Sequence, residues 1–428
     1  MNLNNYLPQG ASYELRTERL KSSNVQYKGN DFERIDSADL TSQTVRVLHE
    51  GKLSKAGSSK PGCEEELIKQ AAEMVRYGSP YDVSFAGEAE VAPLNLSDER
   101  NLSAKQRIEM MGDFVSDVRS LDDRLVVHAW LTSAFRDVSL KTGAGFDHSY
   151  RKSSWRCFSF LELMQGDDLL NIFEFECAMG PDMDFARMKA AMERKLEYAK
   201  NVVPIDAGAY PVIFSPGEVG FIVNPVVASL NGLAVYRKIS PWYDKLGQEL
   251  LDTRFDLTDD GSLDNAWTSK PFDIEGTPTR CNSLVKNGRL GDLLLDCKVA
   301  AQLGMDSSGN AGAAGPAPHY LQLAAGSKPL EELISSIDRG LLIDGTMGAW
   351  SGNPFSGIVS GTISMGLKIE KGKIVGRVKD CMYTINAFEH LRDHLVDCST
   401  EREQAETMFG ISCMFPYVML DEVVISAK

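Results

Sequence analysis

The sequence lacks a C-x-x-C pair, a long apolar run and any stripe of basic residues. Its eight cysteines (63, 157, 177, 281, 297, 381, 398 and 413) stand singly, which sets aside a disulfide framework and reads as reduced, mostly buried thiols in a cytoplasmic protein. The most apolar stretch, Val219 to Val235, is broken by Asn224, Pro225, Ser229 and Asn231 and is too poor in apolar residues to span a bilayer. Basic residues run no longer than pairs such as Arg151-Lys152 and Arg237-Lys238. With a formal charge of −15, nucleic acid and anionic membranes are both excluded as main partners, because both would be repelled. The opening MNLNNYLPQGASYEL has no positive segment followed by an apolar one, so no secretory signal is expected. What is present is ordinary globular material. The 428 residues, 43% hydrophobic and 25% charged, suffice for two or three domains with their own cores.

Alternation and turn signals order that material. Residues 11 to 60 read as short strands with glycine turns, followed by helices over about 64–76 and 103–121. A meander of four alternating segments follows (RLVVHAWLTSAF, RDVSLKT, SSWRCFSFLELMQ and LLNIFEFECAM), and then a helix to about Lys200. NVVPIDAG is the expected boundary, giving domains 1–204 and 205–428. The second half opens with the strand YPVIF and an apolar helix from Pro216. It continues with hairpins around Asn287-Gly288 and within GTISMGLKIEKGKIVGRVKD, and ends on the strand YVMLDEVVIS. Helices mixed with mostly antiparallel strands in each half make the fold class α+β.

Three constellations invite chemistry and decline it on inspection. The glycine-rich loop 304–315 has neither the Lys-Ser/Thr of a P-loop nor a G-x-G-x-x-G opening a helix, and reads as a connection. Asp147, His148 and Ser149 have no nucleophile brought to them and read as polar loop residues. In AFEHLRDHL (387–395), His390 and His394 have zinc-site spacing, but Leu391 stands where a zincin places its general base. A helix from Ile385 gathers Ile385, Phe388, Leu391 and Leu395 into one apolar stripe. That phase turns both histidines toward solvent or an interface.

Two further stretches are more specific. SKPFDIEGTPTRCNSLVKNGRL (269–290) resembles the signature of the TldD/PmbA family, once called modulators of DNA gyrase. Asp273, Glu275, Gly276, Thr277 and Arg280 match its D-x-E-G start, and Asn287, Gly288 and Leu290 match the hairpin that follows. AVYRKISPWYDKLGQ (234–248) resembles the PmbA (TldE) branch, and SSGNAGAAG, ELISSIDRGLLI and the C-terminal strands agree. The likeness covers 205–428, and over 1–200 it rests on element order alone. It implies a two-domain fold with a mixed α/β N-terminal half and a strand-rich, antiparallel, barrel-like C-terminal half.

The resemblance also moves the metal question. The TldD branch is implied to hold zinc by an H-E-x-x-x-H run on the apolar helix after the Y-P-V strand, with a cysteine from near the C-terminus. Here NPVVAS (224–229) occupies that helix, with Asn224, Pro225 and Ser229 at the three motif positions. An amide, a proline ring and a hydroxyl cannot supply two imidazoles and a base. Cys413 falls near the third ligand, but a lone thiol makes no site and reads as a buried small residue. Cys413, His390 and His394 are the remaining candidate ligands of a weaker hydrolase reading.

Implied by the resemblance is a subunit without a metal of its own, in a cytoplasmic zinc metallopeptidase complex that processes unfolded peptides. The zinc would sit in a TldD-type partner, and proteolysis would need that partner. The signature residues Asp273 to Arg280 would then line the groove. Glycine-rich edges such as SGIVSGTISMG would suit strand addition by an extended peptide. The alternative is a stand-alone homodimer that binds peptides or scaffolds without cleaving.

Overall fold

The long strands at the start are made by cross-strand pairing of charges as much as by apolar alternation. The computed structural model describes residues 3–166, 168–406 and 412–427. β1 (Ser12–Lys28) and β2 (Asp31–His49) pair along their length through a turn at Gly29 and Asn30, both at positive φ. Val25, Tyr27, Val45 and Val47 are buried, while Arg19 and Asp39 pair across the strands. Sequence reading expects short strands here. The run is continuous because polar cross-strand pairs replace the apolar signal in mid-strand. β3 (Lys52–Ser58), helix α1 (Glu64–Met74), β4 (Ser79–Pro80) and helix α2 (Ala104–Arg119) follow. Ser103 caps α2 in a capping box with Gln106.

β5 (Val126–Thr142) merges two segments that the sequence reads as separate. The apparent break at Arg136 and Asp137 is bridged by ion pairs to Glu18 and Arg151. With β6 (Asp147–Gln165) and β7 (Asp168–Ala178) they form one antiparallel seven-stranded sheet in the order β4-β3-β2-β1-β5-β6-β7. Asp147, His148 and Ser149 begin β6 rather than a loop. Helix α3 (Phe185–Ala199) packs on this sheet.

From β8 (Gly208–Phe214) the chain builds a second sheet around helix α4 (Pro216–Ser229). It continues through α5 (Gly232–Tyr236), β9 (Leu257–Asp260), β10 (Cys281–Lys286), β11 (Arg289–Leu290) and α6 (Cys297–Leu303). The short strands β12 (Ala311–Gly312) and β13 (Gly315–Pro316) pair only with each other. β14 (Tyr320–Leu323), α7 (Leu330–Ser335), β15 (Arg339–Met347), β16 (Ile358–Glu370) and β17 (Lys373–Val378) come next. β18 (Cys381–Asn386), α8 (Ala387–Asp393), β19 (Leu395–Glu406) and β20 (Ser412–Ala427) complete the described chain.

β8, β15, β16, β18 and β20 close on themselves, because β20 also pairs with β8. The strand-rich half is therefore a barrel, and the α+β class and barrel-like C-terminal half stand as expected. β16, which carries most of SGIVSGTISMG, is an inner strand of the barrel: it pairs with β15 from Thr362 to Glu370, with β18 from Ile358 to Thr362 and with β17 from Gly366 to Glu370. Its glycines serve packing instead: a Cβ at Gly366 would lie 2.5 Å from the Ile363 side chain. Barrel residues such as Leu342, Met365 and Met419 share one apolar core with Met188 and Leu196 of α3 and Leu161 of β6, which joins the two sheets. Among the described residues no helix is long and apolar enough to cross a membrane.

Candidate functional site

The signature run is a joint between the two sheets. Asp273 is buried, and its Oδ1 accepts from the N–H groups of Glu275 (2.9 Å) and Thr277 (3.0 Å) while Oδ2 accepts from Ala311 N–H (2.9 Å). Burial pushes its carboxyl up to about 6 against those three donors. Glu275 Oε2 accepts from the backbone N–H of Cys297 (2.9 Å). Glu275 Oε1 meets the N-terminal sheet at Tyr81 (3.3 Å) and Arg46 (3.5 Å). Arg46 in turn holds buried Glu14 by two bonds of 2.7 and 2.6 Å. Thr277 Oγ1 lies 3.5 Å from Cys297 Sγ, and Arg280 Nε donates to Asn282.

Glu275 and Gly276 therefore fasten the halves together, while Asp273, Thr277 and Arg280 bond within the second half; the sequence reading places all five in a groove. No spacing rule could pair Glu275 with Arg46 and Tyr81, some 200 positions away. Gly276 sits at φ +86, where a Cβ would lie 2.9 Å from Ala86 Cβ and 3.1 Å from Leu140 Cδ2. Gly276→Ala should lower stability by about 2 kcal/mol in urea unfolding, from backbone strain and overpacking together; an unchanged midpoint would contradict the joint.

The helix that would carry a family metal is α4, and its donors do not suit one. Asn224 is partly exposed, and Pro225 has no donor atom to offer a metal in its ring. Ser229 is buried and donates its hydroxyl to the Pro225 carbonyl (2.7 Å). The set does not fit zinc. His390 corrects the sequence reading in another way. Asn386 ends β18 and caps α8, accepting from Phe388 and Glu389 N–H, so Ile385 and Leu395 lie outside the helix and its buried face centres on Ala387 and Leu391 instead. His390 is consequently 8% exposed, with Nδ1 2.9 Å from Asn386 O and Nε2 3.4 Å from Glu422 O. His394 lies beyond the helix at its C-cap, its ring 5.1 Å from that of His390. Cys413 is buried on β20 and donates to Ala405 O. Among the described residues no group of three or more histidine, cysteine or acidic side chains is placed to hold a metal ion.

A cavity of about 680 Å³ lies between α3, β6, β7, the start of α4 and residues of β15, β19 and β20. Phe158, Phe173 and Phe175 form one wall. The floor is charged: Lys195 of α3 bridges Glu174 (2.7 Å) and Asp344 (2.9 Å). Beside them Glu218, in the first turn of α4, accepts from Thr346 N–H (3.0 Å) and hydroxyl (2.6 Å). β7 is an edge strand, but Arg187 and Lys195 donate to the carbonyls of Phe175 (2.7 Å) and Phe173 (3.4 Å) and blunt it against strand addition. Sequence reasoning missed this cluster. Its one signal was two acidic residues, Glu174 and Glu176, at alternate positions of a mostly apolar strand.

Comparison with known proteins gives the molecule its relatives. The family model for the PmbA/TldA metallopeptidase C-terminal domain matches residues 207–427. An uncharacterized protein of Methanocaldococcus jannaschii is 28% identical over 224 residues; the match covers 52% of this chain and 51% of that protein, so this chain spans about half its length. A protein named metalloprotease PmbA homolog, from Haemophilus influenzae, is 24% identical over 390 residues, covering 85% of this chain and 82% of the relative. The crystal structure of TldE from Thermococcus kodakarensis superposes with a TM-score of 0.91 at 22% identity, covering 99% of this chain and 98% of that one.

Proposed function

Because the chain belongs to the PmbA/TldD metallopeptidase family, we propose that it is a TldE-type subunit that leaves zinc chemistry to an H-E-x-x-x-H partner of the TldD type. Together the two would process unfolded or extended peptides. The observation that carries this reading is α4, where Asn224, Pro225 and the internally bonded Ser229 stand in place of a metal-binding triad. In this reading the subunit's contribution is to enclose the peptide. The cavity beside β7 offers an aromatic wall for apolar side chains and carboxylates for basic ones.

The test compares the chain alone with the chain co-expressed beside a TldD-type partner. Alone it should carry far less than one zinc per chain and leave an unstructured peptide intact. With the partner it should co-purify, and cleavage should appear. Stoichiometric zinc together with cleavage by the isolated chain would sink the proposal. A chain that stays a homodimer and ignores the partner would favour a stand-alone peptide-binding role.

A further inference from the structure

A second cavity, of about 450 Å³, lies on the helix-covered face of the seven-stranded sheet beside the first turn of α2. Its floor includes one row of side chains across neighbouring strands: Ser37 faces Ser23 and Ser23 faces Ser133, and beyond the cavity the row continues to the buried Trp155. The next row on the same face, Ile35, Val25 and Leu131, is apolar and joins the core. A row of hydroxyls at core-facing positions therefore needs a reason.

Among the described residues, two buried polar atoms there lack hydrogen-bond partners. Ser133 is 1% exposed and its hydroxyl makes no hydrogen bond. Arg107 of α2 is 7% exposed, its guanidinium carbon 5.4 Å from the centre of the Trp155 ring, and its Nε makes no hydrogen bond. Among the described residues its guanidinium donates to Asn101 Oδ1 alone. Among the described residues no carboxylate pairs with Arg107. Asp39, which also lines the cavity, is engaged by Arg19 through bonds of 2.9 and 2.8 Å, and Lys21 stands beside it. Burial holds the guanidinium below its ordinary pKa with no anion to offset it. An arginine cannot escape such a site by losing its proton, so its charge stays buried and uncompensated.

We propose that this cavity binds a carboxylate, seated on the Arg107 guanidinium with the Ser133 hydroxyl rotated to donate to it. One buried positive charge with a planar fork of donors matches a singly charged planar anion. A doubly charged phosphate would leave a negative charge buried in a chain already at −15. The volume exceeds that of a carboxylate alone, so it admits the body of a small organic acid or the last residues of a peptide. This site is separate from α4 and from the cavity beside β7, and it stands whether or not a TldD-type partner exists.

The experiment titrates the full chain with propionate, with a tripeptide bearing a free C-terminus, with the same tripeptide amidated and with inorganic phosphate. Binding is read by tryptophan fluorescence, since Trp155 lies under Arg107, and by the shift in Tm. Propionate, the free tripeptide or both should bind saturably and raise Tm, and which of them binds identifies the source of the carboxylate. R107M should weaken that binding by at least about tenfold, and S133A severalfold. Were R107M to misfold, R107K keeps the charge without the fork and should still weaken binding while S133A retains the fold. No saturable binding, saturable binding of the amidated tripeptide as tight as that of the free one, tighter binding of phosphate, or undiminished affinity in R107M and R107K would each overturn the proposal.

Discussion

Replacing Lys195 with methionine should destabilise the protein by about 3–5 kcal/mol, the range for removing one partner of a buried ion pair. Lys195 is largely buried and is the ammonium that Glu174 and Asp344 share at 2.7 and 2.9 Å. Methionine fills the same volume, so the loss reads the two stranded carboxylates and not a void. Arg187, 3.7 Å from Glu174, compensates only part of it. Burial already holds the Glu174 carboxyl above its ordinary range with Lys195 present. Without the lysine that carboxyl should be protonated more readily, and the deficit should shrink as the pH falls. Urea unfolding at pH 8 and pH 5 measures both effects. A loss below about 1 kcal/mol at pH 8 would show that the carboxylates are compensated elsewhere. K195M combined with E174Q and D344N should recover most of the stability, because the uncompensated charges leave together.

The same residues show what a sequence discloses and what it withholds. Local chemistry was legible. The Asn287-Gly288 turn follows from two residues that tolerate positive φ, and both adopt it. The apolar α4 follows its strand, with Pro216 at its first turn. The residue types at positions 224, 225 and 229 of α4, an amide, a proline ring and a hydroxyl, are read from the sequence directly. Less visible were the features set by partners distant in the chain. Arg136 and Asp137 look like the end of a strand until Glu18 and Arg151 are seen beside them. His390 was placed outward because Ile385 was counted into the helix. The Asn386 cap, which fixes the true start, was a signal available in the sequence and passed over. Glu275 and Arg107 depend on neighbours from other elements, so no periodicity in their own segments could reveal a joint in one case or an orphaned charge in the other.

Glu218 supplies the second large effect, and its sign follows from where it sits. The first turn of a helix ordinarily favours a carboxylate. Here burial wins, pushing the Glu218 carboxyl up to about 7, with the bonds from Thr346 opposing and the charge of Asp344 adding to it. In the unfolded chain the group titrates near 4.5. Between those values the native state keeps a proton that the unfolded chain has released. The contribution to stability is therefore complete below pH 4.5 and is lost as the pH rises through 7, at about 1.4 kcal/mol per pH unit within the window. Glu218→Gln keeps the shape, accepts from Thr346 N–H and donates to its hydroxyl, yet does not titrate. The variant should match the wild type near pH 4 and exceed it by roughly 3 kcal/mol at pH 8. Unfolding free energies measured across that range decide it: two parallel curves would mean that Glu218 stays ionised in the native state. Diverging curves would mean instead that the cavity floor carries a proton near neutral pH, and an ammonium placed beside Glu218 would then draw its pKa back down and release that proton. Proton release on binding a lysine-containing peptide, measured in two buffers of different ionisation enthalpy, would then report occupancy of that floor directly.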